Sequence, residues 1–558
     1  MLENRLRLIP LFRDLPGGSL KSIATRLKRV RYPQGAVIFR EGEAGDAMYL
    51  VESGQLEVAI VAGDKEQSLA YLGPGNFVGE ISLLLGQPRS ATLKVVIDAE
   101  LWVLRKQDLE ELLAEYPSIA LHFTRELGQR LVTTSHQVSP PRKTPITSVW
   151  GDYWYELLLA LANHTEGSVG IVPLIGSLPP MGRFSFFDVI TSKAGVELIE
   201  VGLTAEALTE DLSREVGNFD HVLVILPRHA SVAAHKALDL SDYTVSFGPP
   251  PKWVQNDVPG DRLLKCDNSS ETVQRIARRL TDRTVGLALS SGGSRTIAHI
   301  GVVRVLREAG IPIDMIAGSS GGALFGALIA AGWSDQEMVQ FARNLKHVNN
   351  WRNWDFNLPP RAGLIKGRRA RDLIEGWLDG RHFSDLELPF YVVATDISTG
   401  EEIVFDSGPV SDAVRASISI PGVADPWAYD NRFLVDGAVV NPMPASVLYK
   451  RGAKIIIGSS VVRFADDPSQ PKFTQMPNFL QIISRIISSA ETEQIKAQLP
   501  LVDVLIHPAV FVDHALDFSE ADTLIALGEE AARRELAACE RKLVAARVLL
   551  PRFEQAAA

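Results

Sequence analysis

The stretch from Val285 to Gly322 constrains this chain more than any other, because one local pattern occurs in it twice. Its sequence is VGLALSSGGSRTIAHIGVVRVLREAGIPIDMIAGSSGG. In each half a short apolar run, typical of a buried strand, ends in a glycine-flanked turn and is followed by a helical pattern. The pattern predicts two strand-turn-helix units of an α/β fold.

Both turns have a composition that suits ester chemistry. The first, Ser291 to Arg295, offers unhindered backbone N–H groups before a helix, whose dipole favours negative charge, and this suits an oxyanion hole. The second, Gly318 to Gly322, matches GxSxG, which holds a serine on a sharp bend with its hydroxyl exposed. Ser320 is therefore the candidate nucleophile. The alternative is a pair of ordinary βα loops, since short glycine motifs arise by chance in a chain with 43 glycines.

A nucleophilic serine needs a base, and the eleven histidines lie at no spacing that nominates one of them. His299, inside the helical pattern after the first turn, is expected in the core. Asp436, in RFLVDGAVVNPMP, ends an apolar run, and partial desolvation would raise its proton affinity enough for a base. The alternative is that Asp436 only caps an Asp-Gly turn. Asp396 and Asp425 are expected to hold turns.

Together these motifs resemble the patatin-like phospholipase family over roughly Val285 to Val462, including YVVATDISTGEEIVF and RASISIPGVADP. That family works with a Ser-Asp dyad. The resemblance implies Ser320 as nucleophile and Asp436 as base, with neither a metal nor another catalytic cofactor. It also implies an oxyanion hole from the amides of Gly292, Gly293 and Ser294.

One departure from the family pattern lies in the first turn. The family often has a longer glycine run, with a further glycine after the arginine, whereas this chain has Ser291 and Thr296 in those places. The substitutions are expected to change the fine geometry of the hole without removing it.

Length, charge and cysteine content restrict the remaining possibilities. A chain of 558 residues is too long for one core, so three domains are expected. A formal charge of −10 argues against a nucleic-acid partner. The two cysteines provide neither a disulfide framework nor a metal-ligand cluster, which fits a reducing, cytoplasmic location. About twenty uninterrupted apolar residues, the length of a membrane span, occur nowhere, and the N-terminus does not read as a signal peptide or anchor.

The N-terminal region has a different pattern. From Ala36 to Leu104 short alternating strands punctuated by glycines predict a β-roll or jelly roll. Within it, FVGEISLLLGQPRSAT, residues Phe77 to Thr92, combines a short helical start at Gly79 and Glu80 with a later arginine. Amides, a carboxylate and a guanidinium can meet there around one small anion, because a carboxylate suits a ribose hydroxyl and an arginine suits a phosphate.

This segment resembles the phosphate-binding cassette of cyclic nucleotide-binding domains, and IFREGEAGDAMYLVESGQLEV extends the resemblance over residues 10–134. The resemblance implies that Glu80 holds the ribose 2′-hydroxyl. It also implies that Arg89, with amides near Gly79, Ser90 and Ala91, holds the cyclic phosphate. The ligand is cyclic AMP or cyclic GMP, which Ser90 does not decide. The alternative is a domain that keeps the fold and has lost the ligand.

The predicted architecture is multidomain: a β-roll cyclic nucleotide-binding domain at residues 1–135, a small α/β connecting domain at 149–260 and a patatin-like α/β hydrolase domain at 270–550. A proline-rich linker occupies residues 136–148. A helix at 271–280 is expected to lead into the catalytic stretch. The order resembles the neuropathy target esterase-like subfamily, in a compact form with one sensor and no N-terminal membrane anchor.

Two segments bear on partners. HVNNWRNWDFNLPPRAGLIKGRRAR, residues 347–371, mixes aromatic and cationic side chains, which suits an anionic membrane surface or lipid headgroup as well as a helix with a basic face. NFLQIISRIISS, residues 478–489, has an apolar helical stripe that suits the core or another subunit, and also a bilayer. Peripheral membrane association and a homo-oligomer are therefore both open.

These inferences predict a lipid acyl hydrolase, a phospholipase or lysophospholipase, regulated by a cyclic nucleotide. One rival keeps the chemistry on other substrates, as a broad carboxylesterase or thioesterase. A second is a non-catalytic nucleotide sensor or scaffold. A DNA-binding regulator is disfavoured by the charge and by the linker, which stands where a reader helix would follow.

Overall fold

Contacts divide the chain into two units, Met1–Thr281 and Asp282–Ala558. In the computed structural model the described residues are 12, 17–62, 65–116, 144–165, 168–174, 195–347, 354–357, 359, 362–462, 479–510 and 517–548. The predicted division into three domains remains a prediction.

The first unit begins with an antiparallel sheet whose strands follow the path β1-β6-β3-β4, with β2 on β6 and β5 on β3. The strands are β1 (Lys28–Tyr32), β2 (Val37–Phe39), β3 (Ala47–Ala62), β4 (Lys65–Leu72), β5 (Phe77–Val78) and β6 (Thr92–Arg105). The helices are α1 (Gly17–Arg26), α2 (Glu80–Leu85) and α3 (Lys106–Glu115). This is the predicted β-roll.

Two of these strands are longer than the short ones predicted. β3 has 16 residues and β6 has 14. Their pairing shifts register around Ser53 and Gln55, so the glycine between them lies at a bulge inside β3 instead of at its end. Gly54 has φ 96°, and a Cβ there would lie 2.5 Å from the Ala99 backbone. The glycine therefore allows the strands to approach closely without interrupting them.

A parallel six-stranded sheet follows in the same unit, in the order β12-β11-β7-β10-β8-β9. Its strands are β7 (Ile146–Trp150), β8 (Val169–Pro173), β9 (Val196–Leu198), β10 (His221–Ile225), β11 (Tyr243–Phe247) and β12 (Leu263–Cys266). Its helices are α4 (Trp154–His164), α5 (Ala205–Glu215), α6 (Val232–Leu240), α7 (Lys252–Asp257) and α8 (Ser270–Leu280). Alternate residues of one strand enter two different apolar clusters, so both faces of the sheet are covered.

Two structural elements lie at the borders of this α/β unit. Residues 146–148, expected in the linker, are strand; the linker residues 136–143 lie outside the described part of the chain. The helix predicted at 271–280 is present as α8, which precedes the strand Val285–Leu289 in the chain and packs on α4. The β-roll also contacts this unit, since Ile97 joins one of its apolar clusters and Lys236 lies 3.3 Å from Asp98.

The second unit is built on an eight-stranded sheet in the order β19-β20-β16-β14-β13-β21-β22, with β17 paired to β16. Its strands are β13 (Val285–Leu289), β14 (Met315–Ser319), β16 (Phe390–Asp396), β17 (Glu402–Phe405), β19 (Trp427–Tyr429), β20 (Arg432–Asp436), β21 (Ile455–Ser459) and β22 (Val504–Ile506). β15 (Gly363–Ile365) and β18 (Gly422–Ala424) form a separate pair. β20 and β17 run antiparallel to β16, whereas the central strands are parallel.

Helices cover both faces of this sheet. They are α9 (Ala298–Glu308), α10 (Gly321–Ala330), α11 (Asp335–Asn344), α12 (Arg368–Trp377), α13 (Val410–Ser417), α14 (Ala445–Lys450), α15 (Phe479–Gln498) and α16 (Ala521–Ala545). Neighbouring residues of β13, Leu287 and Ala288, point into different buried clusters, as a doubly covered sheet requires. The apolar side chains predicted to form a stripe at 479–487 lie outside the described side chains, although their backbone is helical.

Candidate active site

The bend at Ser320 joins β14 to α10 in a strained conformation. Ser320 has φ 54° and ψ −124°, a region that side-chain-bearing residues rarely occupy. The bend is held by its own hydrogen bonds: the Ser320 N–H donates to Ser417 Oγ at 2.8 Å, and Ser417 Oγ donates to the Val393 carbonyl at 2.6 Å. The predicted strand-to-helix turn is therefore present, and tertiary contacts hold it.

Close backbone packing explains why residue 322 of this bend is a glycine. A Cβ at Gly322 would lie 2.4 Å from the Leu289 carbonyl oxygen and 2.5 Å from that of Ser290. Neither oxygen can move easily, because both belong to the backbone at the end of β13. Only glycine therefore allows α10 to start directly against the neighbouring glycine-rich turn.

Sheet register brings Asp436 to the same place. Ser319 pairs with Val393 across β14 and β16, and the next residue of β16, Ala394, pairs with Asp436. Ser320 Oγ donates a hydrogen bond to Asp436 Oδ2 at 2.7 Å.

The second carboxylate oxygen of Asp436 has a structural task. Oδ1 accepts a hydrogen bond from the Ala438 N–H at 2.9 Å, at the start of the 3-10 turn Gly437–Val439. Asp436 therefore caps the turn with one carboxylate oxygen and accepts the Ser320 hydroxyl with the other. Asp436 is only 4% exposed, and burial raises its pKa to about 7, although the two hydrogen bonds favour the ionised form.

The glycine-rich turn follows β13 and leads into a 3-10 helix, Gly293–Ile297. Gly292 has φ 154°, and a Cβ there would lie 2.5 Å from Val461. Among the described residues, the backbone amides of Gly292 and Gly293 have no hydrogen-bond acceptor. Ser294 is buried in the same turn. Two of the three predicted oxyanion donors are thus available to a ligand.

The two residues that depart from the family pattern both make hydrogen bonds. Thr296 Oγ1 donates to the Gly293 carbonyl at 2.5 Å, and a Cβ at Gly321 would lie 2.4 Å from the same hydroxyl. Thr296 therefore packs between the glycine-rich turn and the serine bend. Ser291 Oγ donates to Glu491 Oε1 at 2.8 Å.

Ser320 opens into a cavity of about 430 Å³ that also reaches Gly293 and Thr296. Most of its wall is apolar, and the larger side chains are Leu324, Phe325, Leu345, Trp354, Phe356, Leu364, Ile365, Leu373, Ile374, Trp377, Ile418, Ile420, Val423 and Phe518. Phe356 and Leu364 are 48% and 39% exposed. A pocket of this size and polarity suits a hydrocarbon chain.

Arg415, on α13, is a charged residue of the cavity wall that was not predicted from the sequence. It is almost fully buried and donates to the carbonyl oxygens of Gly367, Lys366 and Asp425 at 2.8–3.0 Å. Burial lowers its pKa to about 10. Arg415 and Ser417 both lie in the RASISIPG motif, so the motif was a signal, although their contacts depend on tertiary packing.

The other polar residues considered from sequence have structural contacts. His299 is buried and its pKa is lowered to about 4 by burial; Nε2 lies 3.0 Å from the Ser290 carbonyl and Nδ1 lies 2.8 Å from Ser459 Oγ. It is therefore neutral, with Nε2–H as donor. Asp396 accepts from the Ser398 N–H, and Asp425 from Asn357 Nδ2, so both hold local structure as expected.

In the β-roll, the structure brings Gly79 and Arg89 together. Gly79 is left-handed at φ 87° and precedes α2, which starts at the buried Glu80. The buried guanidinium of Arg89 donates from Nη1 to the Gly79 carbonyl at 3.1 Å and from Nη2 to the Ala47 carbonyl at 2.7 Å. It also lies 4.1 Å from the centre of the Phe39 ring.

The two remaining predicted nucleotide-binding residues follow the arginine directly. Ser90 is exposed and Ala91 is buried just before β6. Burial lowers the pKa of Arg89, and its Nε has no partner among the described residues. A cationic group with a remaining donor is therefore present where the sequence predicts a cyclic phosphate.

Within the described part of the chain, His, Cys, Asp and Glu form no cluster of three or more that would hold a metal ion. Cys266 and Cys539 are both free thiols. None of the described helices is long and apolar enough to cross a membrane.

Family comparisons agree with this architecture. A family model described as patatin-like phospholipase matches residues 287–449, and one for the cyclic nucleotide-binding domain matches residues 29–116. The chain therefore has a patatin-like phospholipase domain preceded by a cyclic nucleotide-binding domain. The predicted fold class and the resemblance are confirmed.

Similar proteins from several organisms extend this result. An uncharacterized NTE family protein of Mycobacterium tuberculosis is 27% identical over 96% of both chains. Neuropathy target esterase sws of Drosophila melanogaster is 25% identical over 80% of this chain and 37% of its own length. The human patatin-like phospholipase domain-containing protein 6 is 25% identical over 76% and 37%. These similarities support a lipid hydrolase.

Among solved structures, the N-terminal domain of a transcriptional regulator from Streptomyces coelicolor is 30% identical over 24% of this chain and 99% of that chain, with a TM-score of 0.22.

Proposed function

We propose that this chain is a serine lipid acyl hydrolase that cleaves an ester of a phospholipid or lysophospholipid, with Ser320 as nucleophile and Asp436 as base. The observation that carries the proposal is the 2.7 Å hydrogen bond between Ser320 Oγ and Asp436 Oδ2 beside an apolar cavity. The matching patatin-like phospholipase family adds independent support.

In the first half-reaction, Ser320 Oγ attacks the ester carbonyl carbon as its proton moves to Asp436 Oδ2. The carbonyl oxygen becomes an oxyanion, which the amides of Gly292, Gly293 and Ser294 stabilise. The intermediate then collapses, the alcohol part leaves with the proton from Asp436, and the acyl group remains on Ser320.

In the second half-reaction, a water molecule transfers a proton to Asp436 and attacks the acyl-serine. The same amides stabilise the second oxyanion, and the fatty acid leaves as Ser320 Oγ regains its proton. A base works best when its pKa lies near the working pH, and the pKa of Asp436 at about 7 meets this condition. The capping bond from the Ala438 N–H keeps the carboxylate oriented through both steps.

The cavity favours a long acyl chain over the small acids of a broad carboxylesterase. Its wall is largely aliphatic and aromatic, and burial of each CH₂ group contributes about 0.8 kcal/mol. Hydrolysis should therefore be measured on lysophospholipids and on short-chain esters in parallel. Faster turnover of the short esters, lost equally with Ser320→Ala, would identify a broad carboxylesterase.

Two variants test the dyad directly. Ser320→Ala should abolish lysophospholipid hydrolysis, and Asp436→Asn should reduce it by about 100-fold or more, the usual contribution of a general base. Ser319→Ala is the matched control, because the neighbouring serine is buried with its hydroxyl unpaired among the described residues. An inactive wild type would favour the scaffold alternative.

We also propose that a cyclic nucleotide bound at Arg89 and Glu80 regulates this hydrolase. The cyclic nucleotide-binding domain family match supports the ligand class. β6 begins directly after the cassette, and five residues further its Ile97 packs into the core of the α/β unit. Binding would shift the population of domain arrangements if its affinity differs between them. Titration with cyclic AMP and cyclic GMP, followed by the hydrolysis assay with each, tests the ligand and the regulation.

Finally, we propose cytoplasmic action at a membrane surface. Phe356 and Leu364 line the cavity yet remain exposed, and the exposed Lys366, Arg368 and Arg369 lie close in sequence. Apolar and cationic side chains together suit an anionic bilayer. Co-sedimentation with phosphatidylserine vesicles should weaken for Phe356→Asp, and equal sedimentation of variant and wild type would argue against this surface.

A further inference from the structure

Glu491 is a buried carboxylate that the proposed dyad does not use. It lies on α15, is 5% exposed, and accepts the Ser291 hydroxyl at Oε1. Ser291 belongs to the turn that carries Gly292 and Gly293, and it replaces a glycine of the usual family pattern. Burial of a carboxylate costs free energy unless hydrogen bonds and opposite charges compensate it. The contacts of Glu491 therefore show what stabilises it in the buried position.

The same helix contacts the loop that carries the base. Gln494 Nε2 donates to the Val439 carbonyl at 2.6 Å, in the 3-10 turn after Asp436. The next residue, Ile495, is fully buried in the apolar cluster that contains Met443. α15 is therefore anchored to the sheet while it contacts both the glycine-rich turn and the Asp436 loop.

The surrounding charges act on Glu491 in opposite directions. Burial raises its pKa, while Arg295 from the glycine-rich turn and the bond from Ser291 lower it. The pKa of Asp436, at the end of β20, is raised mainly by burial and to a smaller extent by the charge of Glu491. On the exposed face of α15, Glu493 pairs with Lys496 at 2.9 Å.

We propose that Glu491 is a positioning residue: its carboxylate fixes Ser291, and thereby the oxyanion amides, and its negative charge acts on the Asp436 carboxyl, whose loop the same helix contacts. This inference rests on the proposed function, because it concerns the same dyad and the same amides. It explains how the chain keeps a working hole with serine in a glycine position.

Glu491→Gln separates charge from shape, since the amide oxygen still accepts the Ser291 hydroxyl. The test measures lysophospholipid hydrolysis and fluorophosphonate labelling of Ser320 between pH 5 and pH 9. Removal of the charge should move the acid limb of both profiles to lower pH by about half a unit or more. Glu493→Gln, the same change on the exposed face of the same helix, should leave the limb in place.

Ser291→Ala tests the other half of the proposal. It removes the hydrogen bond and keeps the carboxylate, so the rate on the pH plateau should fall about tenfold or more through misplaced amides. The acid limb should not move to lower pH in this variant. Urea unfolding midpoints of all variants verify that they are folded.

An unmoved acid limb in folded Glu491→Gln overturns the proposal, and so does a wild-type plateau rate in folded Ser291→Ala. These results leave the proposed function intact when wild type is active and Ser320→Ala is not. A wild type that neither hydrolyses lipid nor reacts with the probe overturns the proposed function, and this inference with it.

Discussion

Changing Asp436 to asparagine should stabilise the hydrolase unit at alkaline pH while it removes the proposed base. The carboxyl is buried, and burial raises its pKa from 3.8 to about 7. Between these two values the folded chain retains a proton that the unfolded chain has released. Stability therefore falls as pH rises through this window, and the loss is complete above about pH 7.

The magnitude follows from the difference between the two pKa values. At about 1.36 kcal/mol for each pKa unit, ionising the buried carboxyl costs on the order of 4 kcal/mol. Most of this cost arises between pH 5 and pH 8, where wild type should lose about 2 to 3 kcal/mol relative to Asp436→Asn. Asparagine has no proton to release and still offers an oxygen to the Ala438 N–H.

Urea unfolding of both proteins at pH 5, 6, 7 and 8 measures this quantity. Groups common to the two proteins cancel in the difference between their unfolding free energies, which isolates Asp436. The variant should gain relative stability steadily up to about pH 7.5. A difference that stays constant over the whole series would refute the reasoning, because the carboxyl would then ionise equally in both states.

Two further changes test the bend and the β-roll. Gly322→Ala should lower the free energy of unfolding by about 1 to 3 kcal/mol, because its Cβ meets two backbone oxygens. Gly376→Ala, at an open position of α12, should raise that free energy by about 0.5 to 1 kcal/mol. Urea unfolding compares the two variants, and equal effects would contradict the packing argument. Arg89→Lys should weaken cyclic nucleotide binding about 10- to 100-fold, since it removes charge-assisted hydrogen bonds. The control Arg40→Lys, at an exposed position, should bind like wild type. Calorimetry measures the affinities, and an Arg89→Lys affinity equal to that of wild type would exclude Arg89 from the site.

Local motifs were readable from the sequence alone. The GxSxG bend at Ser320 depends on five consecutive residues, and the glycine-rich turn depends on the stretch after β13, so periodicity and glycine spacing located both. The cassette around Gly79 and Arg89 is similarly local. In each case the chemistry-bearing groups lie within about ten residues of one another.

Contacts between distant segments were not readable in this way. Asp436 lies 116 residues from Ser320. Its position at the end of an apolar run made it a candidate base, and the family resemblance favoured that role over a simple Asp-Gly turn. Ser417 lies in a motif that was recognised, but its hydrogen bonds were not predictable, and Glu491 had no signal of its own, because both roles depend on which helix packs beside which loop. Gly54 was misleading for a related reason, since a bulge within a long strand has the same local sequence as a turn between short strands.

The most direct test of the account is mass-spectrometric mapping of a fluorophosphonate probe on the full chain at pH 8. The account predicts one modified serine, Ser320, with labelling slowed about 100-fold or more by Asp436→Asn. Modification of a different serine, or labelling of Ser320 at an equal rate in wild type and Asp436→Asn, would contradict it.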